Sequence, residues 1–155
     1  RRAWQAAQQL AQGTDRCSLT VVLDNVRSTR NVGSLLQTCA AVGVTEMVVC
    51  GVTPHGPHPA VLRCAGSAAY QVRQRFASDA ATVVREFQRD GRSVWALETT
   101  SQALDYRAAV APCPLAIVLG HEKHGVSAEA LELCDAHVEL PMQGIKNSLN
   151  VAVAG

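Results

Sequence analysis

The chain has 155 residues, of which 48% are apolar and only 4% aromatic, so one domain can bury a substantial core. The abundance of Ala, Val and Leu favours a layered α/β protein over an aromatic-rich β-sandwich. No apolar run approaches the roughly 20 residues that span a bilayer, and the N-terminus lacks a secretory signal pattern. We therefore expect an intracellular protein without a membrane partner, cytoplasmic by default, with an organelle not excluded.

The charge is unevenly distributed, although the formal net charge is only +1. Residues 1–75 contain eight arginines against three carboxylates, whereas residues 76–155 contain six basic and ten acidic residues. Most of the cations are arginines, the side chain best suited to forked phosphate contacts. The basic first half suggests a nucleic-acid partner, and a solvated charged surface explains the charge equally well.

The six cysteines are widely spaced, and none forms a C-x-x-C pair. This spacing predicts reduced, mostly structural thiols rather than a zinc or redox site. The six are Cys17, Cys39, Cys50, Cys64, Cys113 and Cys134.

Strands and helices alternate along the sequence. Residues 1–16 are interpreted as an N-terminal helix or a linker, and residues 17–155 as one domain. Short β-branched or apolar runs predict strands at Leu19–Leu23, Glu46–Cys50, Ser93–Leu97, Leu115–Leu119 and His137–Leu140. Helical spacing and caps predict helices at Ser34–Val42, at Ala60–Ala69, from Ser78 or Asp79 to Arg89, from Ser127 to Cys134, and after Ser148 as an N-cap.

This alternation predicts a mostly parallel sheet with helices on both faces. In such sheets, ligands bind beyond the carboxyl ends of the strands. The polar or glycine-containing loops 24–33, 98–101, 120–126 and 141–148 all follow predicted strands. We therefore expect the functional residues in these loops.

The loop Gly120–Gly125, with the sequence GHEKHG, fits neither of two common motifs. It is not a phosphate-binding loop, because Val126 stands where the phosphate-reaching Lys is needed. It is not a zincin helix, because its histidines are three apart on a glycine-bounded loop. We predict no metal, although a site built from His55, His58, His121 and His124 is an open alternative.

Three separated stretches together resemble a known family. They are DNVRSTRNVG at residues 24–33, VLGHEKHGVS at 118–127 and LPMQGIKNSLNVAVA at 140–154. In order and form they resemble the three sequence motifs of the SpoU/TrmH family of RNA ribose methyltransferases. The similarity runs from about Leu19 to the last residue.

The resemblance implies a SPOUT fold, in which the C-terminal segment passes through a loop to form a deep trefoil knot, a rare exception to the rule against threaded chains. It also implies a homodimer that transfers a methyl group from S-adenosylmethionine (AdoMet) to a ribose 2′-hydroxyl of tRNA or rRNA. The family usually continues the last helix beyond the position of Gly155, so we expect this helix to be incomplete here.

In the family, backbone groups of three loops hold the cofactor within the knot. The matching loops lie at residues 97–99, 119–125 and 140–149, and their glycines allow tight turns and close approach to a ligand. The candidate cofactor-binding residues are Leu97, Thr99, Leu119, Gly120, Gly125, Leu140, Met142, Gly144, Ile145, Ser148 and Leu149.

Four residues match functional positions of the family. Asn31 would orient the catalytic loop, Glu122 would anchor that loop or the ribose, and Ser148 with Asn150 would shape the cofactor pocket and the substrate side. On their own, Asn31 could be a helix cap and Glu122 a solvated loop carboxylate.

One position departs from the family pattern. An Arg thought to activate the ribose hydroxyl usually stands six residues after the Asn, and here Gln37 occupies that position. An amide can orient a hydroxyl but cannot act as a base. Arg30 is a candidate substitute, with Arg27 and Arg63 as alternatives. The departure leaves open a catalytically weakened, knotted RNA-binding protein, and a metal- or nucleotide-binding α/β domain is a third, weaker alternative.

Overall fold

Seven parallel strands form one sheet in the computed structural model, which describes residues 18–44 and 46–155. The strands are β1 (Leu19–Asp24), β2 (Glu46–Cys50), β3 (Arg73–Ala77), β4 (Ser93–Leu97), β5 (Leu104–Asp105), β6 (Leu115–Leu119) and β7 (Ala136–Glu139). Their order is β3-β2-β1-β6-β4-β7-β5, and every pairing is parallel. The predicted N-terminal helix or linker lies outside the described residues.

Five α-helices and one 3₁₀ helix connect the strands of the described chain. They are α1 (Thr29–Val42), α2 (Pro59–Ala65), the 3₁₀ helix (Gly66–Tyr70), α3 (Ala80–Arg89), α4 (Ala128–Leu133) and α5 (Val151–Ala154).

The helices cover both faces of the sheet, as predicted. On one face, Leu23 and Met47 pack with Leu36 of α1 and Val61 of α2, and Val151 of α5 joins this cluster. On the other face, β-strand residues pack against α3 and α4. The side chains of Leu23 and Leu36 are fully buried, and each such burial stabilises the fold by roughly 1.5–3 kcal/mol. The α/β fold class is therefore confirmed.

Helix α1 begins five residues earlier than predicted. The Ser28 side chain is its N-cap and accepts a hydrogen bond from Asn31 N. Asn31 therefore lies in the first turn, and its interpretation as a helix cap is wrong. At the other end Gly43, with φ 82°, is the predicted C-cap.

Strands β3 and β5 were absent from the prediction. The β3 sequence, RQRFA, has no continuous apolar run, and none of its residues is buried, since β3 lies at the edge of the sheet. Strand β5 has two residues, too few for any pattern. The predicted strand at His137–Leu140 is shifted by one residue, since β7 is Ala136–Glu139.

The last helix is capped by Asn150, not by Ser148. Asn150 Oδ1 accepts a hydrogen bond of 2.9 Å from Ala152 N, so the predicted cap at Ser148 is wrong.

Five cysteines are free thiols, and Cys17 lies outside the described residues. Burial raises the pKa of Cys39 to about 11 and that of Cys50 to about 12, so both remain protonated packing residues at neutral pH. No helix of the described chain is long and apolar enough to cross a membrane.

Candidate functional site

A cleft lies at the carboxyl ends of β4, β6 and β7, and residues of the segment 139–154 also line it. It brings together most of the predicted cofactor-binding residues: Leu97, Thr99, Leu119, Gly120, Gly125, Leu140, Met142, Ser148 and Leu149. Gly144 and Ile145 do not line it, and the Ile145 side chain is fully exposed. Glu122 lines the same cleft, so the second and third motifs meet here.

The loop Gly120–Gly125 is a tight hairpin that forms one wall of the cleft. His121 N donates to Gly125 O and Gly125 N donates to His121 O, both at 2.9 Å. A Cβ on Gly120 would overlap the backbone of Gly125 and Val126, and Gly125 has a φ of +68°. Both glycines are therefore required by the loop itself.

The Glu122 carboxylate joins this hairpin to the loop that follows β1. Its Oε2 accepts from Arg27 N at 3.1 Å, and its Oε1 accepts from Ser28 N and Asn31 Nδ2, both at 2.9 Å. The acceptor lies at the N-terminus of α1, where backbone N–H groups lack partners within the helix. The first and second motifs therefore meet through Glu122.

Opposing effects set the pKa of Glu122. Desolvation, the largest single effect, would raise it, but the hydrogen bonds from Ser28 N, Arg27 N, its own N–H and Asn31 together outweigh desolvation. The pKa of Glu122 is therefore held below its ordinary value of 4.5. The group is a carboxylate at neutral pH, and it acts by holding the loop.

Two further carboxylates that the sequence analysis did not single out support the same loops. Asp24, which is buried, accepts from Ser127 N at 2.7 Å through one oxygen and from Asn25 Nδ2 through the other. Glu98, which lines the cleft, accepts from Val126 N at 3.0 Å and from Thr99 N at 3.1 Å. Both lie at the carboxyl end of a strand, and this position is the only feature of the sequence that could have identified them as site residues.

Gln37 does not line the cleft. It is exposed on α1, and its Nε2 donates to Cys64 O at 2.6 Å. Arg63 precedes that acceptor on α2. Arg30, in the first turn of α1, and Arg27 flank the segment that Glu122 holds, and neither side chain has a hydrogen bond or ion pair with a described residue.

Ser148 and Asn150, which were predicted to act together, differ in their position relative to the cleft. Ser148 lines the cleft, whereas Asn150 caps α5 through its side chain and does not line it.

The four histidines of the alternative metal site do not come together as one group within the described part of the chain. His55 lies beside Phe76, with 5.7 Å between the ring centroids, and His121 lies beside His124, with 4.7 Å. Among the described residues, no three His, Cys, Asp or Glu side chains are arranged to hold a metal ion.

The model of the SpoU rRNA Methylase family matches residues 18–155. The chain belongs to this family. A relative from Thermus thermophilus, tRNA (guanosine(18)-2′-O)-methyltransferase, is 38% identical over 136 residues, which cover 88% of this chain and 69% of the relative. The predicted family resemblance is therefore confirmed.

Solved structures of family members have the same fold. The A. aeolicus TrmH/SpoU tRNA modifying enzyme matches with a TM-score of 0.85 and 25% identity over 99% of this chain and 77% of its own. The AdoMet-bound rRNA methyltransferase from Sinorhizobium meliloti matches with a TM-score of 0.81 and 24% identity, covering 94% of this chain. This chain covers 56% of the length of the S. meliloti chain, so the family domain is what the two share.

Proposed function

We propose that this protein transfers a methyl group from AdoMet to a ribose 2′-hydroxyl of tRNA or rRNA. The observation that carries the proposal is the position of Glu122, which lines the cleft and at the same time holds Asn31 and the first turn of α1. The T. thermophilus relative methylates tRNA, and the S. meliloti relative is an rRNA methyltransferase with AdoMet bound. An intracellular location, where both RNAs are made, fits this activity.

The residues that line the cleft suit AdoMet in polarity and charge. Leu119, Leu140, Met142 and Leu149 offer apolar surface for the adenine ring, and the glycine hairpin offers backbone groups at close range. Three carboxylates line the cleft against one lysine: Glu98, Glu122 and Glu139, with Lys123. This excess of negative charge complements a sulfonium and an ammonium group. When bound, AdoMet supplies an electrophilic methyl group.

The residues around Glu122 would position the ribose. A hydroxyl is a weak nucleophile and must lose its proton as the methyl group arrives. Glu122 is committed to three donors, so its role is to fix the loop that carries Arg27, Ser28 and Arg30. Positioning of this kind is the main way in which the site would accelerate methyl transfer.

Arg30 is the proposed electrostatic partner of the reacting hydroxyl. It has no partner among the described residues and lies next to Asn31, whereas the Gln37 amide is occupied by Cys64 O. A fixed cation beside the oxygen favours the developing alkoxide. Ser148, which lines the same cleft as Glu122, is proposed to contact the cofactor.

We also propose that the protein acts as a homodimer, that residues 17–155 form one methyltransferase domain, and that the C-terminal segment forms the trefoil knot. The segment 141–154 exposes apolar side chains, and Ile145 and Val153 are 101% and 71% exposed. Exposed apolar surface of this kind supports a second copy that covers it.

Two measurements test the proposed function. Calorimetric titration with S-adenosylhomocysteine should show binding, and labelled methyl should pass from AdoMet to unmodified bulk tRNA or rRNA transcripts. Arg30→Ala should lower kcat about 100-fold or more, in the range of other lost electrostatic contacts at reacting oxygens, while cofactor affinity stays within two-fold. Full activity of Arg30→Ala would refute its role. Gln37→Arg, at a position that does not line the cleft, should leave kcat within about two-fold of wild type if Arg30 has this role.

The same assays separate the alternative, an RNA-binding protein that keeps the cofactor cleft and lacks catalysis. It rests on Gln37 alone, because the cleft and the Glu122 contacts are present. S-adenosylhomocysteine binding without any methyl transfer would favour it.

A further inference from the structure

A second groove lies on the opposite side of the Gly120–Gly125 hairpin from the cofactor cleft. It is an open groove with a volume of ≈ 840 Å³, which is within the range of small-ligand sites. Val52, Ala128 and Leu131 provide apolar surface, and Arg27 and His124 lie along it. The hairpin residues divide between the two sides: Glu122 and Lys123 line the cleft, whereas His124 lines the groove. The hairpin is therefore a thin wall between them.

The groove presents two neighbouring imidazole rings, of which one is held by the loop and the other is open to solvent. His121 Nδ1 accepts from Lys123 N at 2.9 Å and from His124 N at 3.3 Å, so the loop structure fixes the His121 ring. The exposed His124 ring lies against it, with 4.7 Å between the centroids. A third flat ring placed on His124 would extend this pair, as bases do on aromatic side chains.

Cations without partners stand around the groove and the hairpin. The side chains of Arg27, Arg30 and Lys123 make no hydrogen bond or ion pair with any described residue, whereas the arginines of β3 and α3 that face carboxylates are paired. The one carboxylate in the groove, Asp24, is buried and has an N–H donor on each oxygen. The exposed charge at the groove is therefore positive, which suits phosphates.

We propose that this groove binds a nucleotide of the RNA substrate next to the target ribose, with its base stacked on His124 and a phosphate on Arg27. The inference rests on the proposed function, because it takes RNA as the substrate. Glu122 connects the two sites directly, since the backbone N–H of Arg27 donates to it. A base in the groove would thereby fix which ribose reaches the cleft.

The test compares ring and charge variants by steady-state methylation of the same bulk tRNA and rRNA transcripts. His124→Ala should raise the KM for RNA at least five-fold, the lower end of what one stacked base contributes, with the KM for AdoMet within two-fold of wild type. His124→Phe should restore the KM for RNA, because it keeps a ring. Tyr70→Ala is the matched control, since it removes an exposed ring at 75% exposure from the distant 3₁₀ helix and should change nothing.

Arg27→Ala should flatten the dependence of log affinity for RNA on log salt by roughly 0.7–0.9, the slope of one lost phosphate contact. Arg89→Ala, which removes an exposed and unpaired charge at the end of α3, should leave the slope unchanged. A structural role of Arg27 would lower affinity at every salt concentration without changing the slope.

The outcomes separate this inference from the proposed function. Methylation with a wild-type KM for RNA in His124→Ala overturns the groove site and leaves the function standing. A wild-type protein that neither binds S-adenosylhomocysteine nor methylates RNA overturns the proposed function. The groove site is then still tested by comparing the RNA affinities of wild type and His124→Ala by fluorescence anisotropy. A change in sedimentation with His124→Ala at unchanged RNA affinity would show that the groove contacts a second copy, which also overturns the inference.

Discussion

The carboxylates around the cleft and those on the face covered by α3 have opposite uses. Around the cleft and the adjoining groove, Glu122, Glu98 and Asp24 accept hydrogen bonds from backbone N–H groups of loops, and the side chains of Arg27 and Lys123 have no partner among the described residues. On the α3 face, Glu46 and Glu86 pair with Arg75. Carboxylates that bind backbone fix the shape of a loop and leave positive charge for a ligand. Carboxylates that bind arginines neutralise that charge and give modest stability.

The largest expected effect comes from Glu122→Gln. The amide can replace only one carboxylate oxygen, and its NH₂ group would face an N–H donor of the loop after β1. We expect kcat to fall about 100-fold or more, because a small displacement of the ribose-positioning loop has effects of this size. Steady-state methylation of bulk RNA measures it. Wild-type kcat in this variant would show that the carboxylate does not organise the site.

Gly120→Ala should act on the hairpin itself. Its Cβ would overlap the backbone of Gly125 and Val126, which no rotamer change relieves. We expect the free energy of unfolding to fall by about 1–3 kcal/mol and the affinity for S-adenosylhomocysteine to fall at least ten-fold. Gly144→Ala is the matched control for stability, since its Cβ would meet nothing within 4 Å. Equal stabilities of the two variants in urea denaturation would contradict the argument.

Arg75→Met tests the other side of the comparison. Arg75 Nη1 and Nη2 each lie 3.1 Å from an oxygen of Glu86, the first with hydrogen-bond geometry, and its guanidinium lies 5.6 Å from the Phe87 ring centre. Methionine keeps the apolar stem. We expect a loss of at most about 1 kcal/mol in the free energy of unfolding and methylation within two-fold of wild type. A ten-fold loss of methylation would show that the face covered by α3 contributes to the activity of the site, contrary to this expectation.

The smallest effect is a pH dependence of stability at Glu122. Its folded pKa lies below the ordinary 4.5, so its contribution is present above that value and is lost as pH falls through the folded pKa. The stability difference between wild type and Glu122→Gln should therefore be constant near pH 7 and should shrink below about pH 4.5. Urea denaturation at pH 7 and pH 3.5 measures it, and a difference that grows on acidification would reverse the assigned sign.

The buried parts of the fold were predictable from sequence. Strands β2, β4 and β6 match their predicted bounds, because their apolar runs are short and flanked by turn residues. Strand β3 was missed because its arginines are satisfied by Glu46 and Glu86, partners that adjoin it only after folding.

The sequence predicted which loops form the site, but not the hydrogen bonds between them. The motifs placed Glu122, Ser148 and three glycines at one cleft, and the structure brings Glu122, Ser148, Gly120 and Gly125 together there but leaves Gly144 outside it. They indicated that Glu122 anchors the loop of Asn31 or the ribose, but not that its donors are the backbone N–H groups of Arg27 and Ser28, whose position depends on the packing of distant segments. They also gave no indication that Asn150 caps α5. The separation of Gln37 from the cleft likewise follows from the packing of α1 against α2.

The position of β6 between β1 and β4 has a consequence for biosynthesis. β6 pairs with β1 through Leu19 and Leu115, which lie far apart in the sequence, and with β4 on its other side. During translation, the facing edges of β1 and β4 therefore stay open until residues 115–119 have left the ribosome. Two apolar strands with open edges are templates for wrong pairing, so the nascent chain is most prone to aggregation just before its central strand emerges.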